Sequence, residues 1–419
     1  MSARRRMPAA FGRLWAGQTI SELGSQVTVL ALPLVAIKTL HAGPVAVGLL
    51  GAAETLPFLL IGLPAGAWVD RHRRRPLLLA MDLARAFVLV TVPVAYLLDR
   101  LVLAQLLAVA LAVGVASVIF DVAAQAYVPA LVAPGLLLGA NARLETSRSA
   151  AQVAGPGLGG VLIQALKAPM AVVADCASFV ISAGFLASIS EPELESAGDE
   201  ETPPLPMRRA IAQGISFVRH HELLRPLALS IAVFNLFSAV GMAVFLLYAV
   251  HRLGLSAAAI GLLYSFGSLG YVAGAAGASR LAGRLGMGRA VLLAAAFQGS
   301  WFVLVPLAPK PLAIPFIVLA MVGETSGNAA LIVLHVSIRQ AVTPPAMLGR
   351  MTATARFVTR GMLPIGSLLG GLLGASLGLR PTLWVSAIGG ALSTLVLVPG
   401  PLRSLGGLPA PARQATTTT

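Results

Sequence analysis

The chain has 419 residues, of which 57% are hydrophobic and 11% charged, and it carries a net charge of +14. Soluble domains carry about 25% charged residues, so this composition, with a mean hydropathy of +0.86, excludes a soluble globular protein. The arginine excess would suit a nucleic-acid partner in a soluble chain, but the placement of the arginines excludes that class too.

Cut at Gly, Pro and Arg punctuation, the sequence holds twelve apolar stretches near the roughly 20 residues that cross a bilayer. Six fall at about 14–37, 45–69, 76–98, 101–124, 143–166 and 168–189. Six more fall at about 226–250, 257–280, 290–308, 311–336, 352–376 and 380–399. Residues 1–13 form a basic N-terminus. The run after it is too long and too polar (Gln18, Ser21, Glu22) for a cleaved secretory signal. The two groups, 14–189 and 226–399, are joined by a linker at 190–225. Its first part is acidic and Pro-rich and reads as solvated. Its second part reads as an amphipathic surface helix, with Ile211, Ile215 and Val218 on one face. The Pro/Gly/Thr-rich tail, 400–419, reads as disordered.

With the N-terminus inside, the inner segments hold 24 of the 30 basic residues, among them Arg71, Arg73, Arg74, Arg75 and Arg85. The outer turns hold only Lys38, Arg100, Lys167, Arg252, Lys310 and Arg380. This asymmetry follows the positive-inside rule and puts both termini in the cytoplasm. The expected setting is a bacterial cell membrane, with lipid rather than nucleic acid as the surroundings.

The two groups of spans echo each other. Gln125, Ala126 and Pro129 recur as Gln340, Ala341 and Pro344. Arg148, eight residues before Pro156, recurs as Arg356, eight before Pro364. The basic turn at Arg71 recurs weakly at Arg284, with Gly283 in the place of Asp70. Three landmarks in order predict two pseudo-symmetric six-helix halves facing each other across a cavity. The expected fold is therefore an all-α membrane protein of twelve transmembrane helices.

Two motifs stand out. In the loop between the second and third spans, Gly66, Asp70, Arg71, Arg74 and Arg75 resemble the signature of the major facilitator superfamily of transporters, while Arg73 stands where that signature prefers glycine. In the fifth span, Gly155, Pro156, Gly157, Gly159 and Gly160 resemble its antiporter motif. Proline there kinks the helix, and the glycines admit a close neighbour. The same residues fit Gly-x-Gly-x-x-Gly, but no strand precedes them, so a dinucleotide is excluded. Further stretches resemble the enterobactin-exporter and macrolide-efflux branch. These run from Phe11 through Arg13, Trp15 and Ser21 to Gly24, from Val128 to Asn141, from Gly214 through Phe217 and Arg219 to Arg225, and from Pro344 to Arg350. The resemblance implies alternating access and export of a small amphipathic compound driven by protons. It also implies a gating latch in which Asp121, at the end of the fourth span, pairs with Arg71 or Arg74.

Acids within the spans carry the coupling expectation. Glu22 lies about 12 Å into the first span at 1.5 Å per residue. It shares a polar stripe with Gln18, Ser25 and Val29. Glu324 lies near the middle of the tenth span, with Asn328 and His335 on its face. A carboxylate facing lipid costs roughly 2.5–3.5 kcal/mol, so both acids should face protein or water. Each is a candidate for reversible protonation, and for each the alternative is a structural hydrogen bond to a neighbouring helix. Further candidate cavity residues are Glu54, Asn235, Ser238, Met242, Tyr264 and Tyr271, with interhelical hydrogen bonding as the alternative. Asp175 and Cys176 read as packing residues, and Glu145 and Arg148 as a neutralising pair.

No phosphate-binding loop or His-Glu-x-x-His occurs, so no cofactor or metal is expected. The Gly374–Gly378 match to a serine nucleophile pattern ends a membrane span and is accidental. The reading is a non-enzymatic transporter whose partners are protons and a small molecule, for which a monomer suffices. An uptake symporter or facilitator on the same fold is the first alternative, and a membrane enzyme or receptor the remote one.

Overall fold

The structure, a computed structural model, describes residues 7–62, 64–69, 71–190, 207–344, 351 and 357–409. Asp70, Gly349, Arg350, Arg356, the acidic part of the linker and residues 410–419 lie outside the described residues.

Among the described residues every regular element is helical. In chain order they are α1 (Ala9–Leu34), α2 (Pro44–Leu60), α3 (Pro64–Val69), α4 (Arg74–Leu97), α5 (Leu103–Leu131), α6 (Leu137–Leu166) and α7 (Ala168–Ala187). After α8 (Met207–His220) come α9 (Leu224–Leu247), α10 (Ala257–Leu285), α11 (Met287–Ser300) and the short α12 (Leu304–Leu307). The series ends with α13 (Ala313–Val342), α14 (Met362–Ser376) and α15 (Leu379–Leu392). Nine stretches among the described residues are long and apolar enough to cross a membrane. The other three expected spans are helices too. α2 has only 17 residues. α6 carries Arg143, Glu145 and Arg148 in its first half. α15 is continued by a tighter turn, Ser393–Leu397. The chain is an all-α membrane protein, and Phe87, Val161 and Leu372 stay exposed on its outside, as side chains that face lipid do.

Several boundaries differ from the expected ones. The second span breaks after Leu60, because Pro64 has no amide to donate and instead starts α3. α5, α6 and α13 run past the apolar stretches into polar sequence, where hydropathy no longer marks a helix that its own backbone bonds sustain. Part of the tail is ordered, contrary to the expected disorder. Leu402 is wholly buried beside Val291 and Leu334, and the Gly288 amide donates to Leu405 O at 2.9 Å. In α8, Val218 packs on Leu224 and Ala228 of α9, whereas Ile215 is exposed.

The chain forms two compact units, Met1–Thr202 with Ala249–Ser265, and Pro203–Tyr248 with Phe266–Thr419. The first turns of α10 thus belong with the first unit. In that unit Phe11 and Leu14 pack with Leu78, Tyr127 and Leu186. In the second, Leu227 packs with Val291, Leu331 and Ile338.

The repeat recurs in the packing of each unit. In the first, Gly155 and Gly159 of α6 lie against Gln26 and Val27 of α1. In the second, Gly366 and Gly370 of α14 lie against Leu236 and Val240 of α9. Gly24 of α1 meets Ser178 as Gly241 of α9 meets Ser386. Both α1 and α9 run into one wide turn, Val35–Thr39 and Tyr248–Arg252. The exits match as well, with Ala42 N bonding Ala36 O at 2.8 Å and Leu255 N bonding Ala249 O at 2.9 Å.

Candidate transport site

α1 has two polar faces. Gly17, Ser21, Gly24 and Thr28 repeat at helical spacing and are buried, with Gly17 and Gly24 set against Ser182 and Ser178 of α7. Gln18, Glu22, Ser25 and Val29 occupy another face and line a cavity of about 790 Å³ within the first unit. The polar stripe of the sequence is thus a cavity wall. α5 adds Ser117, Phe120, Asp121 and Gln125, α6 adds Asn141, Glu145 and Arg148, and α2 and α4 add Phe58 and Arg85.

Glu22 Oε1 lies 3.7 Å from Arg148 Nε, and both side chains are partly exposed to the cavity. Arg148 therefore reaches across to α1, where the sequence paired it with Glu145. Asp121 and Glu145 bring further negative charge to Glu22, and Arg85 brings positive charge. The cavity combines two cations, three carboxylates, neutral amides and two phenyl rings, which suits an amphipathic guest.

Beside the cavity lies a cluster that the sequence did not announce. Arg85, counted above with the topology-setting arginines, is buried inside α4 and paired with Asp82 one turn earlier. Its guanidinium carbon sits 4.3 Å from the Phe120 ring centre and 4.1 Å from that of Phe179. Desolvated cation–ring contacts of this kind contribute about 2 kcal/mol. Asp175 is 1% exposed and accepts from Ser178 Oγ at 2.9 Å. The signal was present in the sequence as an acid and a base three apart inside an apolar span.

The basic loop divides its work. Arg75 Nε and one terminal nitrogen donate to Leu186 O and Ala187 O at 2.9 and 2.6 Å, and Arg13 donates to Ser188 O at 2.6 Å. Two arginines thus satisfy the last carbonyls of α7, where a helix end favours positive charge. Arg71 is exposed, Arg74 half-buried, and Gly66 sits in α3.

The fifth-span glycines serve two neighbours. Gly155 and Gly159 face α1, whereas Gly157 and Gly160 face the first turns of α10. The Gly157 amide donates to Ser265 Oγ at 2.9 Å. Gly261 lies so near Pro156 O and Gly160 Cα that a Cβ on it would collide with backbone. Gly261→Ala is therefore expected to lower stability by about 1–3 kcal/mol. Gly277→Ala, on the same helix with nothing near it, should be neutral or gain up to about 1 kcal/mol. Thermal unfolding of the two purified variants in one detergent checks the contrast.

In the second unit, Gly323 and Gly327 of α13 lie against Trp301 and Gln298, and Thr325 Oγ1 donates to Gly267 O at 2.6 Å. Glu324 and Asn328 share the half-buried face between these contacts, and His335 is buried. Asn235 commits its amide to Thr359 O at 2.8 Å, an interhelical bond. Ser238 and Tyr264 are half-buried, while Met242 and Tyr271 are exposed. Glu54, on α2, is not part of the cavity lining, and its Oε1 is buried without a hydrogen-bond partner among the described residues. Cys176 is a buried free thiol.

Helices that pack through glycine, expose leucine to lipid and enclose a charged cavity define a membrane carrier. A family model described as a transmembrane secretion effector, of major facilitator type, matches residues 6–413. The chain belongs to this family of the major facilitator superfamily. The multidrug efflux pump Tap of Mycolicibacterium fortuitum is 27% identical over 377 residues, spanning 86% of this chain and 88% of that protein. A bacterial homologue of the iron transporter ferroportin, solved in an inward-facing state, aligns with a TM-score of 0.75 at 18% identity, covering 93% of this chain and 98% of that one. The nucleoside transporter NupG aligns with a TM-score of 0.75 at 11% identity, covering 93% and 99%. These structures share the fold.

Proposed function

We propose that this transporter exports a small amphipathic compound by proton antiport, with alternating access and both termini in the cytoplasm of a bacterial cell. The observation that carries the reading is Glu22, an acid on the cavity wall of α1, 3.7 Å from Arg148. A proton on Glu22 removes the charge that holds Arg148, so the polar wall rearranges where a guest would sit. Loss of that proton restores the pair. Proton and guest then compete for one surface, which is what antiport requires. Glu324, on α13, is the proposed coupling acid of the second unit. Similarity to a multidrug efflux pump supports the outward direction. The loop of Gly66, Asp70, Arg71, Arg74 and Arg75, with Asp121, is the proposed gate, and Arg75 anchors it on the end of α7.

Everted membrane vesicles test this reading. A fluorescent lipophilic dye should accumulate inside vesicles with an imposed proton gradient, and a protonophore should release it. Accumulation that survives collapse of the gradient would sink the coupling. Dye entry confined to right-side-out vesicles would favour the uptake alternative.

A further inference from the structure

The charges buried between α1, α4 and α7 do not balance. Asp82 and Asp175 are 0% and 1% exposed, and among the described residues the cation buried with them is Arg85, 5% exposed. Asp82 takes the ion pair with Arg85. Asp175 holds the neutral hydroxyl of Ser178. In the same pocket of side chains Arg85 Nε is buried without a hydrogen-bond partner among the described residues. The Ser182 hydroxyl is a side-chain hydrogen-bond partner of Asp82, and the Thr28 hydroxyl one of Asp175. A buried carboxylate with no cation of its own is costly to keep charged, and a bound proton removes that cost. The backbone is shaped for the acid as well. A Cβ on Gly24 would run into Ser178 and would stand 2.7 Å from Asp175 Oδ1.

We propose that Asp175 is a proton-binding site separate from Glu22, and that Arg85 couples the two. The proton leaves hydronium in the cavity water and forms an O–H bond on the Asp175 carboxylate, leaving a neutral water behind. The new O–H has an acceptor waiting in Thr28 Oγ1, and Ser178 still donates to the other oxygen. The buried cluster is then neutral, with Asp82 opposite Arg85. When Asp175 gives up its proton, Arg85 stands between two buried anions and answers Glu22 less. Arg85 suits this role because it lines the cavity and touches the cluster, held flat between Phe120 and Phe179. The charged groups facing Asp175 are Asp82 and Arg85 of α4. Its titratable neighbour on α7 is the Cys176 thiol. α1 brings Thr28 and Gly24, with Glu22 on its other face. The use of this proton in transport rests on the antiport reading, whereas its binding does not.

Infrared difference spectra of the purified full-length protein, recorded between acid and alkaline pH, test the site without a transport substrate. The wild type should show a carboxylic-acid C=O band that Glu22→Gln keeps and Asp175→Asn loses. An Asp175→Asn spectrum identical to wild type overturns the proposal. A band that disappears when sodium chloride replaces choline chloride also overturns it, because a metal cation is then the ligand. Should Asp175→Asn fail to fold, Ser178→Ala reads the same carboxyl group. Removal of one hydroxyl donor should move the midpoint of that band by about half a pH unit, and an unmoved midpoint overturns the assignment. Efflux that ignores a protonophore while the band persists would defeat the antiport reading and leave the site standing.

Discussion

Glu22→Gln should abolish proton-driven efflux while leaving a folded, inserted protein. Glutamine keeps the shape and hydrogen-bonding capacity of the protonated acid but cannot cycle its charge. The Glu22–Arg148 pair is partly exposed, so its loss should cost under about 1 kcal/mol of stability. Concentrative transport should fall at least about tenfold, equivalent to ~1.4 kcal/mol on the rate-limiting step. Exchange of labelled dye for unlabelled dye needs no net proton movement, and it should persist. Glu324→Gln should behave alike if each unit supplies one coupling acid. Susceptibility of a pump-deficient host, with expression followed by immunoblot, gives the first readout, and counterflow in proteoliposomes the second. If both variants confer wild-type resistance, the coupling assignment is wrong.

Arg85→Ala should have the largest effect on stability. It strands Asp82, 0% exposed, without its cation and removes the guanidinium from between two rings. Stranding one member of a buried pair costs roughly 3–5 kcal/mol. The double variant Arg85→Ala, Asp82→Asn should recover a substantial part of that loss, because the unpaired charge goes with its partner. Melting of Arg85→Ala, Asp82→Asn, the double variant and wild type in one detergent closes the cycle. If the single and double variants melt alike, the pair does not hold this part of the protein together.

The span pattern was legible because a bilayer demands long apolar helices, and the repeat because glycine and proline fall at fixed offsets. The cavity face of α1 was legible for a similar reason, since Gln18, Glu22 and Ser25 follow helical spacing in an apolar background. Arg85 was misplaced because its rings and its second acid come from α5 and α7, remote in sequence. Hydropathy and charge sign cannot separate an arginine that sets topology from one buried beside Asp82. Arg75 was read as a topology and gate residue, and its hold on the end of α7 was hidden because its partners are backbone carbonyls, which no sequence pattern marks. The break in the second span carried a signal in Gly62 and Pro64 that the apolar run concealed.

The C-terminal segment bears on how the protein can be engineered. Leu402 fills the packing beside Val291 and Leu334, and Leu405 accepts from the Gly288 amide. Residues 401–405 therefore act as a bung in the end of a helical barrel-stave rather than as a loose string. A purification handle or fluorescent fusion belongs beyond that bung, and a shortened gene that stops ahead of it would uncork an oily hole.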